Sequence, residues 1–213
     1  MRCDLNGNAC LSSALMNMDL SKYDSLVVGP GIGIDSEEWQ KSIDYLLGFK
    51  GLLILDADAL NRISESKIGL KFFLERESKT WITPHGIEFE RLFPNIKCEN
   101  NAELALNAAK EFNISVLLKG ANSIVADNKN AWQLFGTDSQ TARAGLGDLL
   151  SGFLAGSAAI ELTFCKNITT DFFAKYVLLH SFAASKSKIG SNASAIGDEL
   201  SKLMRNRKTR QIS

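Results

Sequence analysis

A glycine-rich turn, followed by an acid and a long apolar stretch, is the segment of this sequence best suited to chemistry. It consists of Ala142-Arg143-Ala144-Gly145-Leu146-Gly147-Asp148, and the apolar stretch continues to Ile160. Glycines allow a tight turn whose N–H groups surround an anion, and the predicted helix adds the positive end of its dipole. Asp148 then has two interpretations. It is a helix N-cap, or a base that takes a proton from a substrate hydroxyl beside a phosphoryl donor.

Three more motifs follow predicted strands. Gly29-Pro30-Gly31-Ile32-Gly33 follows the first strand as a glycine-rich turn, and Asp56 and Asp58 follow the second. Two acids one residue apart can coordinate Mg²⁺ directly or through water, and either acid can instead cap a helix. His85, in Thr83-Pro84-His85, follows the third strand. It is either a hydrogen-bonding partner for a substrate or an incidental loop residue.

The fourth strand leads into Lys119-Gly120-Ala121-Asn122-Ser123, which combines a cation with backbone N–H groups suited to phosphate. Parallel α/β sheets bind ligands at the carboxyl ends of their strands, so these motifs are expected along one edge of the sheet. His180 differs from them, because it lies on an apolar helix face with Val177 and Phe182. A core position is the favoured interpretation for this histidine.

Strand-like and helix-like segments alternate, which predicts an α/β fold with a mostly parallel sheet covered on both faces. A β-hairpin with a four-residue turn interrupts the alternation, and the remainder is helical. A single domain over residues 1–213 follows, with its motif-bearing core at about 25–200. The predicted strands are 26–28, 52–55, 80–82, 116–118, 124–126 and 131–134, and the predicted helices are 35–47, 84–92, from 101, 148–160, 170–188 and 193–205.

Composition excludes several classes of function. Lys+Arg and Asp+Glu both number 24, so no basic excess indicates nucleic acid as a partner. The apolar stretch between Asp148 and Glu161 is shorter than the roughly 20 residues of a membrane helix. Four cysteines without a CxxC pair favour reduced thiols in the cytoplasm. The sequence has no GxxxxGK[ST] motif, and Ser36 stands where a dinucleotide-binding motif needs its third glycine.

Taken in this order, the motifs resemble the NAD(P)H-hydrate dehydratase family of the ribokinase-like superfamily. The resemblance implies a three-layer α/β/α ribokinase-like fold. It also implies the repair of hydrated NADH or NADPH by dehydration, with ADP or ATP as co-substrate, ADP yielding AMP and phosphate, and Mg²⁺ present. It further implies that the substrate hydroxyl is phosphorylated and then eliminated.

The resemblance also implies roles for individual residues. Asp148 is the base on the substrate hydroxyl, and the N–H groups around Gly145 and Gly147 hold the transferred phosphate. Lys119, Gly120, Ala121, Asn122 and Ser123 line the nucleotide site, while Gly33 and His85 contact the hydrated cofactor.

Several departures from the family pattern accompany these roles, among them Ser123 in place of Thr. Leu146 replaces a Ser or Thr, and Gly86-Ile87 replaces Pro-Gly. Family members carry several strands and helices before the first glycine motif, whereas about 28 residues precede it here. We therefore expect an incomplete substrate half-site and a first strand with an unpaired edge that favours homo-oligomers. Two alternatives stay open: a kinase of a hydroxymethylated vitamin precursor on the same fold, and a nucleotide-binding remnant without catalysis.

Overall fold

The computed structural model describes residues 11–33, 36–135, 144–165, 167–187 and 192–210. A six-stranded sheet lies at its centre, with the strands in chain order from one edge to the other. The first four strands are parallel, and the last two add an antiparallel hairpin, as the sequence predicts. The strands are β1 (Ser25–Val28), β2 (Leu52–Leu55), β3 (Thr80–Ile82), β4 (Ser115–Leu118), β5 (Ile124–Ala126) and β6 (Ala131–Gln133).

Helices connect the strands and cover both faces of the sheet. None of the helices in the described ranges combines the length and the apolar character needed to cross a membrane. A short 3₁₀ helix covers Leu20–Lys22. The α-helices are α1 (Leu11–Met16), α2 (Ser36–Gly48), α3 (Asp58–Glu65), α4 (Lys71–Glu75), α5 (Gly86–Leu92), α6 (Asn101–Phe112), α7 (Leu146–Leu162), α8 (Thr170–Lys186) and α9 (Ala193–Arg210).

The strands alternate their side chains between two cores, which makes the protein three layers thick. Leu55 and Ile82 pack into a core shared with helices α1 to α6. Ile54 and Trp81 point to the opposite face and pack against α7 and α8, where Trp81 stacks on Phe173 with ring centroids 4.3 Å apart. Strand β2 is buried at every position, which explains why its sequence is wholly apolar instead of alternating.

The sequence did not predict the short helices α1, α3 and α4. Helix α3 has only eight residues, and although its buried side chains, Ala59, Leu60 and Ile63, share one helical face, three apolar positions are too few to predict a helix from the sequence. Helices α1 and α4 have six and five residues, too few for a periodic pattern. Packing against the rest of the protein stabilises such segments, because helices this short are not stable alone.

Arg76 links the start of β3 to the end of α2 and to the loop that precedes β2. Its side chain is buried and donates to Thr80 Oγ1 at 3.0 Å, and to the carbonyls of Phe49 at 2.7 Å and Gly51 at 2.6 Å. It also donates to the carbonyl of Leu46, in the last turn of α2, where a cation favours the helix dipole. Burial lowers the pKa of the guanidinium to about 10, so it stays charged near neutral pH.

Candidate functional site

A buried ion pair between Asp56 and Lys119 lies at the carboxyl ends of the strands. Lys119 Nζ donates to Asp56 Oδ1 at 2.8 Å, and the Asp56 residue is only 1% exposed. The N–H of Ala57 donates to the same oxygen at 2.9 Å. Ser151, on α7, donates from its hydroxyl to Asp56 Oδ2 at 2.7 Å. Lys119 therefore compensates the charge of the carboxylate, while Ala57 and Ser151 add neutral hydrogen bonds.

Unusual backbone geometry surrounds Asp56. Gly29 has a φ of +138°, and a Cβ at this position would lie 1.6 Å from the Asp56 carbonyl oxygen. Only glycine therefore lets the chain leaving β1 pass so close to the end of β2. Ala57 has a φ of +48° without being glycine, a conformation that costs energy and is found most often at functional sites.

The first turn of α7 lies next to this ion pair, and Gly147 is the residue of that turn nearest to it. Gly145 is the N-cap, in the left-handed conformation with a φ of +78°. A Cβ on Gly147 would lie 3.8 Å from Lys119 Nζ and 3.9 Å from Asp56 Oδ2. A longer side chain at position 147 would fill the gap between the helix and the ion pair. The first turn of α7 thus combines helical N–H groups with a nearby ammonium group, which suits an anion.

Asp148 is the third residue of α7 and is exposed. The interpretation of Asp148 as the N-cap is wrong, because Gly145 holds that position and no described side chain caps the helix. Leu146, at the Ser or Thr position of the family pattern, packs instead against the apolar cluster of α8 and α9. The carboxylate of Asp148 is therefore exposed next to the glycine turn and is not the N-cap.

The glycine loop after β1 and the acids after β2 are joined by one hydrogen bond. The N–H of Gly33 donates to Asp58 Oδ2 at 3.0 Å. Neither Asp56 nor Asp58 is the N-cap of α3, because Ala57 holds that position, although Asp56 Oδ1 accepts from the N–H of Ala57. The described residues contain no cluster of three or more His, Cys, Asp or Glu side chains around one point.

His85 caps α5. Its Nδ1 accepts from the N–H of Glu88 at 3.3 Å, and the Glu88 carboxylate accepts from the N–H of His85 at 2.8 Å. The sequence signal was the glutamate three residues after the cap, the spacing of a capping box, although histidine is an unusual first member. Half of the imidazole, 51%, is exposed, so a substrate contact by His85 stays a prediction alongside its observed structural role.

The loop after β4 is closed by its own last residue. Ser123 is buried, and its hydroxyl accepts from the N–H of Gly120 at 3.3 Å and donates to the carbonyl of Gly120 at 3.2 Å. The residues between them, Ala121 and Asn122, are exposed. The hydroxyl of Ser123 is thus used to shape the loop, and the predicted nucleotide contacts rest on Lys119 and on the exposed part of the loop.

His180 lies in the core, which was the favoured interpretation of its apolar helix face. It is 4% exposed on α8, and its Nε2 has no hydrogen-bond partner among the described residues. Burial lowers the pKa of the imidazole to about 4, so the side chain is neutral near pH 7.

Two residues near Asp56 were not predicted as site residues from the sequence, although Thr83 belongs to the Thr83-Pro84-His85 motif. Ser151 contacts Asp56 from 95 positions away, and its only sequence clue is that it lies one turn beyond Gly147 on the same helix. Thr83 is completely buried at the end of β3, and its hydroxyl has no hydrogen-bond partner among the described residues.

A large cavity lies elsewhere, at the amino ends of the strands. It is a groove of about 680 Å³ lined by residues such as Lys50, Glu77 and Lys79. The size of this groove favours it, but the buried charge next to it is that of Arg76, whose guanidinium makes four hydrogen bonds to protein acceptors. We therefore place the functional site at the carboxyl ends, where the motif residues converge.

Comparison with known proteins identifies the family to which this chain belongs. A family model described as NAD(P)H-hydrate dehydratase matches residues 3–203. A bifunctional NAD(P)H-hydrate repair enzyme from Synechocystis is 36% identical over 148 residues, which make up 69% of this chain and 28% of that protein. The chain thus spans a little over a quarter of the length of this relative.

Solved structures share the fold. An ADP/ATP-dependent NAD(P)H-hydrate dehydratase from Bacillus subtilis, co-crystallised with ATP and Mg²⁺, has a TM-score of 0.71 at 22% identity, over 92% of this chain and 69% of that chain. A ribokinase-like superfamily protein from Enterococcus faecalis has a TM-score of 0.75 at 24% identity, over 91% and 67%. The predicted ribokinase-like α/β fold is confirmed. Together with the family model, the comparisons show that this chain belongs to the NAD(P)H-hydrate dehydratase family.

Proposed function

We propose that this chain takes part in the nucleotide-dependent dehydration of hydrated NADH or NADPH, with ADP as the preferred phosphoryl donor. One observation carries the proposal. A buried Asp56–Lys119 ion pair faces Gly147 in the first turn of α7, and the exposed Asp148 follows directly. A cation, helical N–H groups and an acid are thereby brought together at one point, as phosphoryl transfer to a hydroxyl requires.

The phosphates of the nucleotide bind between the loop after β4 and the start of α7. Lys119 supplies the positive charge, and the backbone N–H groups around Gly145 and Gly147 surround the phosphoryl group. The absent side chain at Gly147 leaves room for it, since a Cβ there would already lie 3.8 Å from Lys119 Nζ. The exposed loop residues Gly120 to Asn122 line the rest of the nucleotide.

Asp148 then accepts the proton of the substrate hydroxyl while that oxygen forms a bond to the terminal phosphorus of ADP. The bond between this phosphorus and the bridging oxygen breaks, and AMP leaves. Phosphate departs next from the ring carbon with its bonding electrons, and the neighbouring ring carbon loses a proton, which restores the double bond of NADH. Gly33 and His85, on the adjacent loops, contact the hydrated nicotinamide ring in this proposal.

Mg²⁺ fits this site as an ion carried by the nucleotide. Such ions are usually held by one or two carboxylates together with substrate phosphates. Asp56 already accepts three hydrogen bonds, whereas Asp58 is partly exposed and accepts one, from Gly33. Asp58, directly or through water, is therefore the better of the two predicted ligands. The bound ion would offset the charge of the phosphates.

The test is incubation of the purified chain with hydrated NADH, Mg²⁺ and either ADP or ATP, with regenerated NADH followed by its absorbance. Regeneration that needs the nucleotide, with AMP and phosphate formed in equal amounts from ADP, supports the proposal. A matched reaction offers a hydroxymethylated heterocycle instead. Its phosphorylation, without any NADH formed in the first reaction, would favour a kinase, and nucleotide binding without either product would favour a remnant.

A further inference from the structure

Thr83 is a buried polar residue that belongs to the Thr83-Pro84-His85 motif but has no role in the reaction above. It is 0% exposed, and its Oγ1 has no hydrogen-bond partner within the described residues. Leaving a buried hydroxyl without a partner costs roughly 1–3 kcal/mol. Because the unliganded protein tolerates this unpartnered hydroxyl, Thr83 is a candidate for a hydrogen bond that forms only when a ligand is bound.

The sheet places Thr83 beside Asp56 on the same face. Leu55 and Ile82 are register partners, and the N–H of Thr83 continues the ladder by donating to the Leu55 carbonyl at 3.1 Å. Leu55 and Ile82 both point toward the first core, so the next residues, Asp56 and Thr83, point toward α7. The bond from Ser151 of α7 to Asp56 agrees with this direction.

Asp56 depends on Lys119 for the compensation of its charge. Of its hydrogen bonds to the described residues, only the one from Lys119 comes from a cation, and the others come from Ala57 and Ser151. Lys119 is also the cation next to the gap at Gly147, and a quarter of its side chain is exposed. A phosphate bound in that gap would interact with the same ammonium group. The buried carboxylate of Asp56 would then lose part of its charge compensation, which is costly in free energy.

We propose that Thr83 is a positioning residue, whose hydroxyl donates to the Asp56 carboxylate when Lys119 turns toward a bound phosphate. Asp56 thereby stays in place at the start of α3 while Lys119 serves the ligand. Thr83 does not touch the nucleotide, since it is fully buried. This inference rests on the nucleotide-binding part of the proposed function.

Two substitutions at this position separate binding from stability. Thr83→Val keeps the shape of the side chain and removes the unpartnered hydroxyl, so the melting temperature without ligand should stay the same or rise. Its Kd for ADP should increase about tenfold or more, the effect of one hydrogen bond to a charged group. Thr83→Ser keeps the hydroxyl and loses a buried methyl group, so its melting temperature should fall while its Kd for ADP stays within about twofold.

Thr80→Val is the matched control on the same strand. The hydroxyl of Thr80 is also buried, but it accepts from Arg76 Nε at 3.0 Å, so removing it should lower the melting temperature and leave ADP affinity unchanged. ADP affinity is measured by calorimetry on the unmodified chain and on all three variants.

Three results would overturn the proposal. In the first, Thr83→Val binds ADP as well as the unmodified chain, so the hydroxyl has no role in binding. In the second, both Thr83 variants lose stability and affinity together, so the hydroxyl is structural. In the third, the unmodified chain itself fails to bind ADP, which removes the nucleotide site and this proposal with it.

Discussion

The two ends of the central sheet each hold a buried charge, but the hydrogen bonding around that charge differs between them. At the amino ends, Arg76 donates to four protein acceptors and a large groove lies nearby. At the carboxyl ends, Asp56 and Lys119 are paired beside a glycine gap, and Thr83 is left without a partner among the described residues. If the proposed site is correct, unused hydrogen-bonding capacity beside a glycine gap indicates the functional end of this sheet better than the volume of a cavity does.

The largest effect on function should come from Asp148→Asn. The amide nearly matches the carboxylate in shape but cannot accept the proton, so dehydration should fall about 10²- to 10⁴-fold while ADP affinity changes only a few fold. Turnover of NADH and calorimetric ADP binding are measured together. Asp171→Asn, which alters another exposed acid in the first turn of a helix, is the control and should keep full turnover. Unchanged turnover in Asp148→Asn would rule out this residue as the base.

Arg76→Met should damage stability and leave binding intact. The substitution removes four donors and leaves buried carbonyls of α2 and of the following loop without partners, so we expect a loss of about 4 kcal/mol in the free energy of unfolding. Chemical denaturation measures the loss, and ADP affinity is measured below the transition. Arg91→Met, at an exposed arginine, is the control. A large loss of ADP affinity in the folded Arg76 variant would contradict the division between the two ends.

Lys119→Ala should affect both properties, because Lys119 compensates Asp56 and is expected to bind phosphate. We expect a loss of about 3 kcal/mol in the free energy of unfolding, since the substitution leaves a buried carboxylate unpaired. The rise in melting temperature on adding ADP should also shrink. Lys110→Ala, at an exposed lysine of α6, should change neither quantity. If millimolar ADP or ATP fails to raise the melting temperature of the unmodified chain, the nucleotide site is wrong.

The smallest effect is expected at His180, which tests the rule that unused polar atoms indicate function. Burial lowers the pKa of its imidazole from 6.5 to about 4 in the folded state. The unfolded state therefore binds more protons between these values, so the stability contribution is complete above pH 6.5 and is lost as the pH falls toward 4. The loss should be on the order of 2 kcal/mol by about pH 5.

His180→Leu should remove this part of the pH dependence, as denaturation curves from about pH 4 to 7 would record. ADP affinity at neutral pH should stay unchanged, because the neutral imidazole serves packing between helices. A weaker affinity for ADP in this variant would extend the functional region from the sheet edge into the helical layer.

Much of the fold followed from local patterns in the sequence. The apolar stretch of β2, the start of α6 at residue 101 and the hairpin of β5 and β6 were all recognisable, because each depends on neighbouring residues. The ordered motifs also predicted that the strand ends would converge, since parallel strands place their carboxyl ends at one edge. Helix α4 could not be predicted in the same way, because tertiary contacts, and not its five residues alone, stabilise it.

The sequence by itself therefore determined the strands, the longer helices, their order and the chemical types available at the site. Only the tertiary structure decided what those side chains do. A sequence cannot distinguish an Asp56 that caps a helix from one that is buried against Lys119, because the partner lies 63 positions away. The same holds for Arg76, Thr83 and Ser151. Burial and pairing of polar groups depend on which distant segments pack together, and this is the information that local patterns do not contain.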